Sequence, residues 1–412
     1  MKKFVSGCLA LLCTVSFMGC GGFTERTVKT KNLAETVAAR EVNTLNPADY
    51  RTAYNDFSVK LLGELYKLEE NKNTFCISPL SVAAAFGMIT NGAKGETKTQ
   101  LEATLGSDSQ ALNEYFAEFI KETKKSETVH IANSVWGRKN AVNVKNSFLD
   151  VVKNYYQADY YAADFKSDTL NDINNWIYNN TRGGIDKALD QIDDETLLYL
   201  INALDFEAEW SKRFSKNATA DQIFHGSKED KTVKMMKSTE YLYIGTDKAS
   251  GFIKDYKKGG YYFAGLLPDG DYSVTDVLAE LVDGGLNSAL ANPQYPKINL
   301  TLPKFDFACD YHLIPALNNL GIKAAFSPNY ADFSDLGNSV GGNPIFVKDV
   351  IHKTHIALNE EGTKASAVTI IAGAGSAAPP EDEIDLVFDH PFIFMICDKN
   401  NMPLFIGIIE NL

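Results

Sequence analysis

Ile351-His352-Lys353-Thr354-His355-Ile356-Ala357-Leu358 runs directly into Asn359-Glu360-Glu361-Gly362-Thr363-Lys364-Ala365-Ser366-Ala367-Val368-Thr369-Ile370-Ile371, and these twenty-one residues decide how the chain is read. The first eight have the composition of a β-strand, which an acidic turn and a glycine then end. From Thr363 onward, alternate positions carry Thr363, Ala365, Ala367, Thr369 and Ile371, a face of small or β-branched residues that fits inside a packed sheet. Lys364 falls on the other face. Residues 372–380, Ala-Gly-Ala-Gly-Ser-Ala-Ala-Pro-Pro, are too glycine-rich and proline-broken for a regular element, so a latent strand runs out into an exposed loop. Gly373-x-Gly375-x-x-Ala378 mimics a dinucleotide-binding fingerprint. That motif must open a helix, whereas Pro379-Pro380 and Glu381-Asp382-Glu383 follow here.

Working outward, Tyr54, Phe57, Leu61, Leu65 and Leu68 recur at threes and fours, the stripe of a helix packed on one side. Ser78 reads as an N-cap with Pro79 in the first turn, and the helix that follows is apolar all round until Asn91-Gly92, hence buried. Glu96 to Leu105, stopped by Gly106, is a further helix. A strand is expected over Val129 to Trp136, and helices through Phe148, Val152 and Tyr155 and over Leu170 to Asn180. In the strand from Leu197 to Trp210, Asn202, Leu204, Phe206, Ala208 and Trp210 share a buried face, while Asp205, Glu207 and Glu209 share a wet one. Further strands are read at Ile223-Phe224, Val233 to Met235, Tyr241 to Ile244, Tyr261 to Leu267 and Ile298 to Phe307, with a helix from Leu313 to Leu320.

The chain has 412 residues, 45% hydrophobic and 23% charged, which suits one large α+β domain with a substantial core. A net charge of -13 with no basic cluster argues against nucleic acid as a partner. Lys2-Lys3, an apolar run from Phe4 to Met18 and Gly19-Cys20 have the form of an export signal, so residues 1–20 are read as an address. The segment resembles a bacterial lipoprotein signal, in which Cys20 would carry the lipid. The expected location is the cell envelope, at the outer membrane or cell surface, with a secreted or periplasmic protein as the alternative. Residues 21–48 read as a polar tether and 49–412 as the single domain. Cys76, Cys309 and Cys397 have no paired spacing and read as buried small hydrophobes.

No catalytic constellation stands out. His352 and His355, three apart on a strand, point to opposite faces and cannot share a metal ion; one is expected in the core and the other in solvent. Ser376 lies in Gly-Ala-Gly-Ser-Ala, without the strand-turn-helix context of a nucleophile elbow. The chain is expected to be no enzyme and to need no cofactor or metal.

The run from Asn359 through Ala367 resembles the hinge of the serpins, the suicide protease inhibitors, and Leu386-Val387-Phe388-Asp389-His390-Pro391-Phe392-Ile393-Phe394-Met395-Ile396 resembles that family's C-terminal signature. The likeness extends through Asn73 to Ser81, Asn91 to Thr97, Leu200-Ile201-Asn202-Ala203 with Trp210, Leu266 to Gly270 and Ala325-Phe326-Ser327, covering about residues 50 to 412 in the family's order. It implies a metastable fold with a large mixed β-sheet, smaller sheets, about nine surrounding helices and a reactive loop at about 360–383. A target endopeptidase would form an acyl-enzyme on the loop and be trapped when the cut loop inserts into the main sheet. By that resemblance Glu360, Glu361, Gly362, Thr363, Lys364, Ala365, Ser366 and Ala367 are the hinge, with Thr363 the first side chain to turn inward on insertion. Ser78, Ser81, Asn202 and His352 match the polar cluster beneath the sheet's opening, and Trp210 the tryptophan at its top. Arg213, where proline is common before Phe214, departs from the pattern, as does the acidic run Asp205 to Glu209.

Seventeen residues from Glu360 to Ser376, the family's usual spacing, place the scissile bond at Ser376-Ala377, with Ile371-Ala372 and Ala374-Gly375 as further candidates. Small residues there suit elastase-like or subtilisin-like serine proteases, and also papain-like cysteine proteases. After insertion Lys364 should emerge near Glu207 and Glu209. The expected protein is a monomer that meets proteases covalently and a membrane only through its N-terminal lipid. A non-inhibitory serpin acting as a surface binding protein is the alternative reading.

Overall fold

The computed structural model describes residues 24–363 and 382–412, apart from residues 72, 126–127, 188, 194–195, 258 and 343. The elements that build the site are three helices, α1 (Pro47–Leu68), α2 (Pro79–Thr90) and α3 (Ser167–Asn180), and seven strands. The strands are β1 (Val129–Arg138), β2 (Asp159–Ala163), β3 (Leu198–Phe206), β4 (Ala208–Glu209), β5 (Phe305–His312), β6 (Ile351–Leu358) and β7 (Gly362–Thr363). They form the large sheet of an α+β fold in two halves. One half has the order β2-β1-β3 and the other β5-β6-β7-β4. The halves meet at the top, where β3 passes through Glu207 into β4. Below that junction, no ladder among the described residues joins β3 to β6.

A six-stranded sheet takes Phe75–Ile77, Pro403–Ile409, Phe392–Asp398, Tyr261–Pro268, Ala249–Asp255 and Leu242–Gly245 in that order, and Phe392–Asp398 and Pro403–Ile409 are buried along their whole length. Glu383–Val387, Lys297–Pro303, Asp230–Glu240 and Ala220–His225 make a four-stranded sheet beside it. The stretch read as one strand from Ile298 to Phe307 is two strands in different sheets, Lys297–Pro303 and Phe305–His312, with Lys304 between them.

α2 behaves as its composition demands. The Ser78 hydroxyl accepts the Ser81 amide hydrogen at 3.2 Å, Pro79 opens the helix, and all twelve helical residues are buried. Cys76, Cys309 and Cys397 are buried and form no disulfide among the described residues. Among the described residues no helix is long and apolar enough to cross a membrane, and no group of three His, Cys, Asp or Glu side chains is arranged to hold a metal ion.

Two expectations need correction. Residues 24–46 are not a free tether but a strap bound to the body. The Lys29 and Thr30 amides donate to the Asp172 carboxylate of α3, Asn32 bridges to Tyr161 of β2 and donates to Asp159 at 2.7 Å, and Ala34 is wholly buried. Such contacts use backbone and polar groups and leave no apolar period behind. The wet face of β3 is likewise only partly wet. Tyr199, Ile201 and Ala203 lie against Trp136, Ile173, Trp176 and Ile177 beneath α3, and Asp205 is only 3% exposed, so the solvated face begins at Glu207.

Candidate functional site: a seated hinge above an open slit

Gly362 and Thr363 already form a strand inside the large sheet. Thr363 pairs with Leu358 of β6 on one side and Ala208 of β4 on the other, and Gly362 pairs with Glu209. A Cβ at Gly362 would stand 2.0 Å from the Ala208 carbonyl oxygen, so this approach admits only glycine. Thr363 is 2% exposed, and its hydroxyl lies 2.5 Å from the Tyr256 hydroxyl. Thr363 therefore does not wait for loop cleavage to turn inward, because the pairing at the top of the sheet has drawn it in beforehand.

Trp210 roofs this seat. Its backbone amide donates to the Glu361 carbonyl at 2.8 Å and its indole N–H to the Asn359 carbonyl at 2.9 Å, while its ring stacks on Tyr256 at 4.4 Å and 8°. The two hinge carboxylates are clamped. Glu360 meets Lys304 at 2.8 Å and the Thr219 hydroxyl at 2.9 Å, and Glu361 is paired with Lys216. Burial works to raise the Glu360 pKa, but Lys304, a backbone amide and Thr219 outweigh it and hold the carboxyl below its ordinary value. Glu361 in turn raises the Lys216 pKa. Arg213 does not disturb the geometry: it pairs with Glu209 at 3.1 Å, and the adjoining Phe214 amide donates to the Glu360 carbonyl.

Below the seat the sheet is open. The Ser78 amide donates to His352 Nε2 at 2.9 Å, which requires that nitrogen to be unprotonated, and burial pulls the His352 pKa down to about 4. Ser81, Asn202 and His352 line a cavity of about 30 Å³ between α2 and the sheet. A second cavity of about 50 Å³ lies on the α3 side and shares Leu200, Asn202 and Asp349 with the first. The two flank the gap between β3 and β6. The Asn202 side chain donates to Asn133 at 2.6 Å, but its carbonyl oxygen is buried with no hydrogen-bond partner among the described residues. Such an atom costs roughly 1–3 kcal/mol until a donor reaches it.

Ser78, Ser81 and His352 thus form one linked group, with Asn202 facing them across the slit rather than bonded to them. His355 lies on the outer face against Asp306 at 2.8 Å, opposite in sense to His352 as the strand period requires. Lys364, Ala365, Ser366, Ala367, Ser376, Ala377 and Cys20 lie outside the described residues. Tyr256, Lys304, Lys216 and Thr219 were not legible as site residues, because each is remote in sequence from the hinge and sits in no motif.

Comparison with known proteins agrees with this geometry. The family model described as "Serpin (serine protease inhibitor)" matches residues 52–412, and the chain belongs to the serpin family. A leukocyte elastase inhibitor of Equus caballus is 33% identical over 365 residues, 84% of this chain and 94% of the relative. One of Xenopus laevis is 32% identical over 353 residues, 80% and 91% of the two chains. The crystal structure of the thermophilic serpin tengpin in its native state has a TM-score of 0.86 at 35% identity, covering 93% of this chain and all of the other. The latent state of tengpin scores 0.77 over 90% of this chain, so the arrangement described here lies nearer the native form. The family description replaces the purely negative expectation of no enzyme: a serpin stands on the inhibitor side of a protease reaction.

Proposed function

We propose that the protein is a suicide-substrate inhibitor of serine endopeptidases with small-residue specificity, elastase-like or subtilisin-like, with papain-like cysteine proteases as further targets. The protease serine attacks the Ser376 carbonyl, the Ser376-Ala377 bond breaks, Ala377 leaves as a new amino terminus, and the acyl ester holds the enzyme to the loop. The segment from Lys364 onward then continues β7 down the slit and carries the acyl-enzyme with it. The single observation that supports this most strongly is the seated pair Gly362 and Thr363. Continuing their register sets Ala365 opposite Phe206 and Ile356, and Thr369 opposite Asn202 and His352. Thr369 would then bring a hydroxyl donor to the Asn202 carbonyl oxygen, and the facing edges of β3 and β6 would gain the backbone partners they lack. The elastase inhibitors among the relatives support the target class.

The proposal extends to an exported monomer that is lipidated at Cys20 and held at the cell envelope by that lipid alone. Incubation with pancreatic or neutrophil elastase tests the inhibitory reading. A covalent adduct on a denaturing gel, together with a released peptide of the mass of residues 377–412, is expected. Complete cleavage without adduct would overturn it in favour of a binding protein.

A further inference from the structure

The hinge is the fixed end from which an inserting strand must grow, so its register decides every side chain that follows. A one-residue slip at Gly362 would turn Lys364 and Ser366 into the sheet and Ala365 and Ala367 out of it. Most contacts that hold the hinge cannot prevent this. The Trp210 and Phe214 amides bind the carbonyls of Glu361 and Glu360, the indole binds that of Asn359, and Lys304 and Lys216 bind carboxylates. All of them act before Gly362; beyond it the Thr363 backbone pairs with Leu358 and Ala208, and its side chain is left to one further contact.

The Tyr256 hydroxyl acts after it. Among the described residues it is the only side chain that hydrogen-bonds the Thr363 hydroxyl, and it does so in a pocket where both residues are 2% exposed. It cannot follow a displaced partner. Its ring is clamped face to face against Trp210, 4.4 Å away at 8°, and edge-on against Phe206, 5.0 Å away at 67°.

We propose that Tyr256 is a positioning residue for the trapping step, its hydroxyl holding Thr363 inward so that the cleaved loop enters the slit in the one register that buries small residues. The inference rests on the inhibitory reading above. Tyr256 touches neither the scissile bond nor the protease, so it governs how cleaved molecules divide between trapped adduct and released, cut inhibitor.

Tyr256→Phe keeps the ring stack and removes the hydroxyl. With elastase the cleavage rate of the loop should stay unchanged, while the number of inhibitor molecules consumed per protease trapped rises, by about two- to twelvefold, the rate equivalent of one buried hydrogen bond. Thr363→Val should give the same shift, and the double variant no more than either single one. Thr363→Ser, which keeps the hydroxyl, should behave as the parent. Phe263→Leu removes an edge contact to Trp210, 6.0 Å away at 89°, and serves as the packing control: it should lower the melting temperature without moving the partition. The proposal is overturned if Tyr256→Phe and Thr363→Val partition as the parent does, or if Phe263→Leu shifts the partition as much as they do. If the parent itself forms no adduct, it is the inhibitory reading that fails.

Discussion

The top and the middle of the split sheet are built in opposite ways. At the top, β7 is paired on both sides, its side chain is hydrogen-bonded, and the residues before it are clamped by two lysines under a tryptophan roof. In the middle, β3 and β6 run past each other without a ladder, a carbonyl oxygen is stranded, and cavities open on both faces. A chain that wanted only stability would close the middle as it closes the top. On the proposed inhibitory reading the difference locates unused free energy: the entry of a strand site is already formed, and its length is what the cut loop would fill.

The largest way to break that contrast is to make the arriving strand unfit for the middle while sparing the top. Ala365→Arg alters the first inward side chain after the seated pair, and insertion would then bury a guanidinium without a partner, at a cost on the order of several kcal/mol. The expected outcome, read on a denaturing gel with elastase, is cleavage, release of active protease and little adduct, whereas Lys364→Arg on the solvent face should inhibit as the parent does. Thr363→Arg is a different experiment, since Thr363 is buried in the intact protein. It should lower the melting temperature before any protease is added.

The strand Ile351–Leu358 ended by an acidic turn and a glycine, the all-apolar α2 with its Ser78 cap and the opposed His352 and His355 were legible in the sequence because each is a local pattern. Glycine, small residues, a cap and a period of two report their own surroundings. The strap at 24–46, the burial of Asp205 and the Tyr256 contact to Thr363 were not legible. The strap is settled by α3 and the Tyr256 contact by the aromatic wall, both distant in the chain. Helix Ser109–Thr123 carries its own local stripe in Leu112, Tyr115, Phe116, Phe119 and Ile120, whereas Val274–Glu280, seven residues long, is too short to show a period.

A smaller effect follows in the middle of the slit from pH. The folded His352 pKa is depressed from 6.5 to about 4, so between those values the unfolded chain takes up a proton that the folded protein refuses. Stability is therefore full above pH 6.5 and falls as the pH drops toward 4, by on the order of 3 kcal/mol across the window. Thermal melting of His352→Gln should show a flatter profile over the same range.

The clamp at the top should respond more weakly. Glu360 is held below its ordinary value of 4.5, so its contribution is present at neutral pH and is lost as the pH falls through the folded value. Lys304 is 37% exposed on its side chain but Glu360 only 8%, and Lys304→Gln, which leaves that carboxylate with Thr219 and a backbone amide, should cost roughly 1–3 kcal/mol in thermal melts. Smallest of all is Lys364→Glu. The seated register directs Lys364 toward Glu207, while Glu209 is already held by Arg213 at 3.1 Å and Lys257 at 3.2 Å. Insertion should slow only slightly, at low ionic strength, in stopped-flow measurements of adduct formation.

The most direct test of a strand site left open between β3 and β6 is the melting temperature of the intact protein against that of the same protein cut in its loop and freed of protease. If the cut segment fills the slit, pairs both edges and gives Asn202 its donor, the cleaved form melts well above the intact one. Equal melting temperatures would contradict the account, because they would mean that the slit stays empty after the loop is cut.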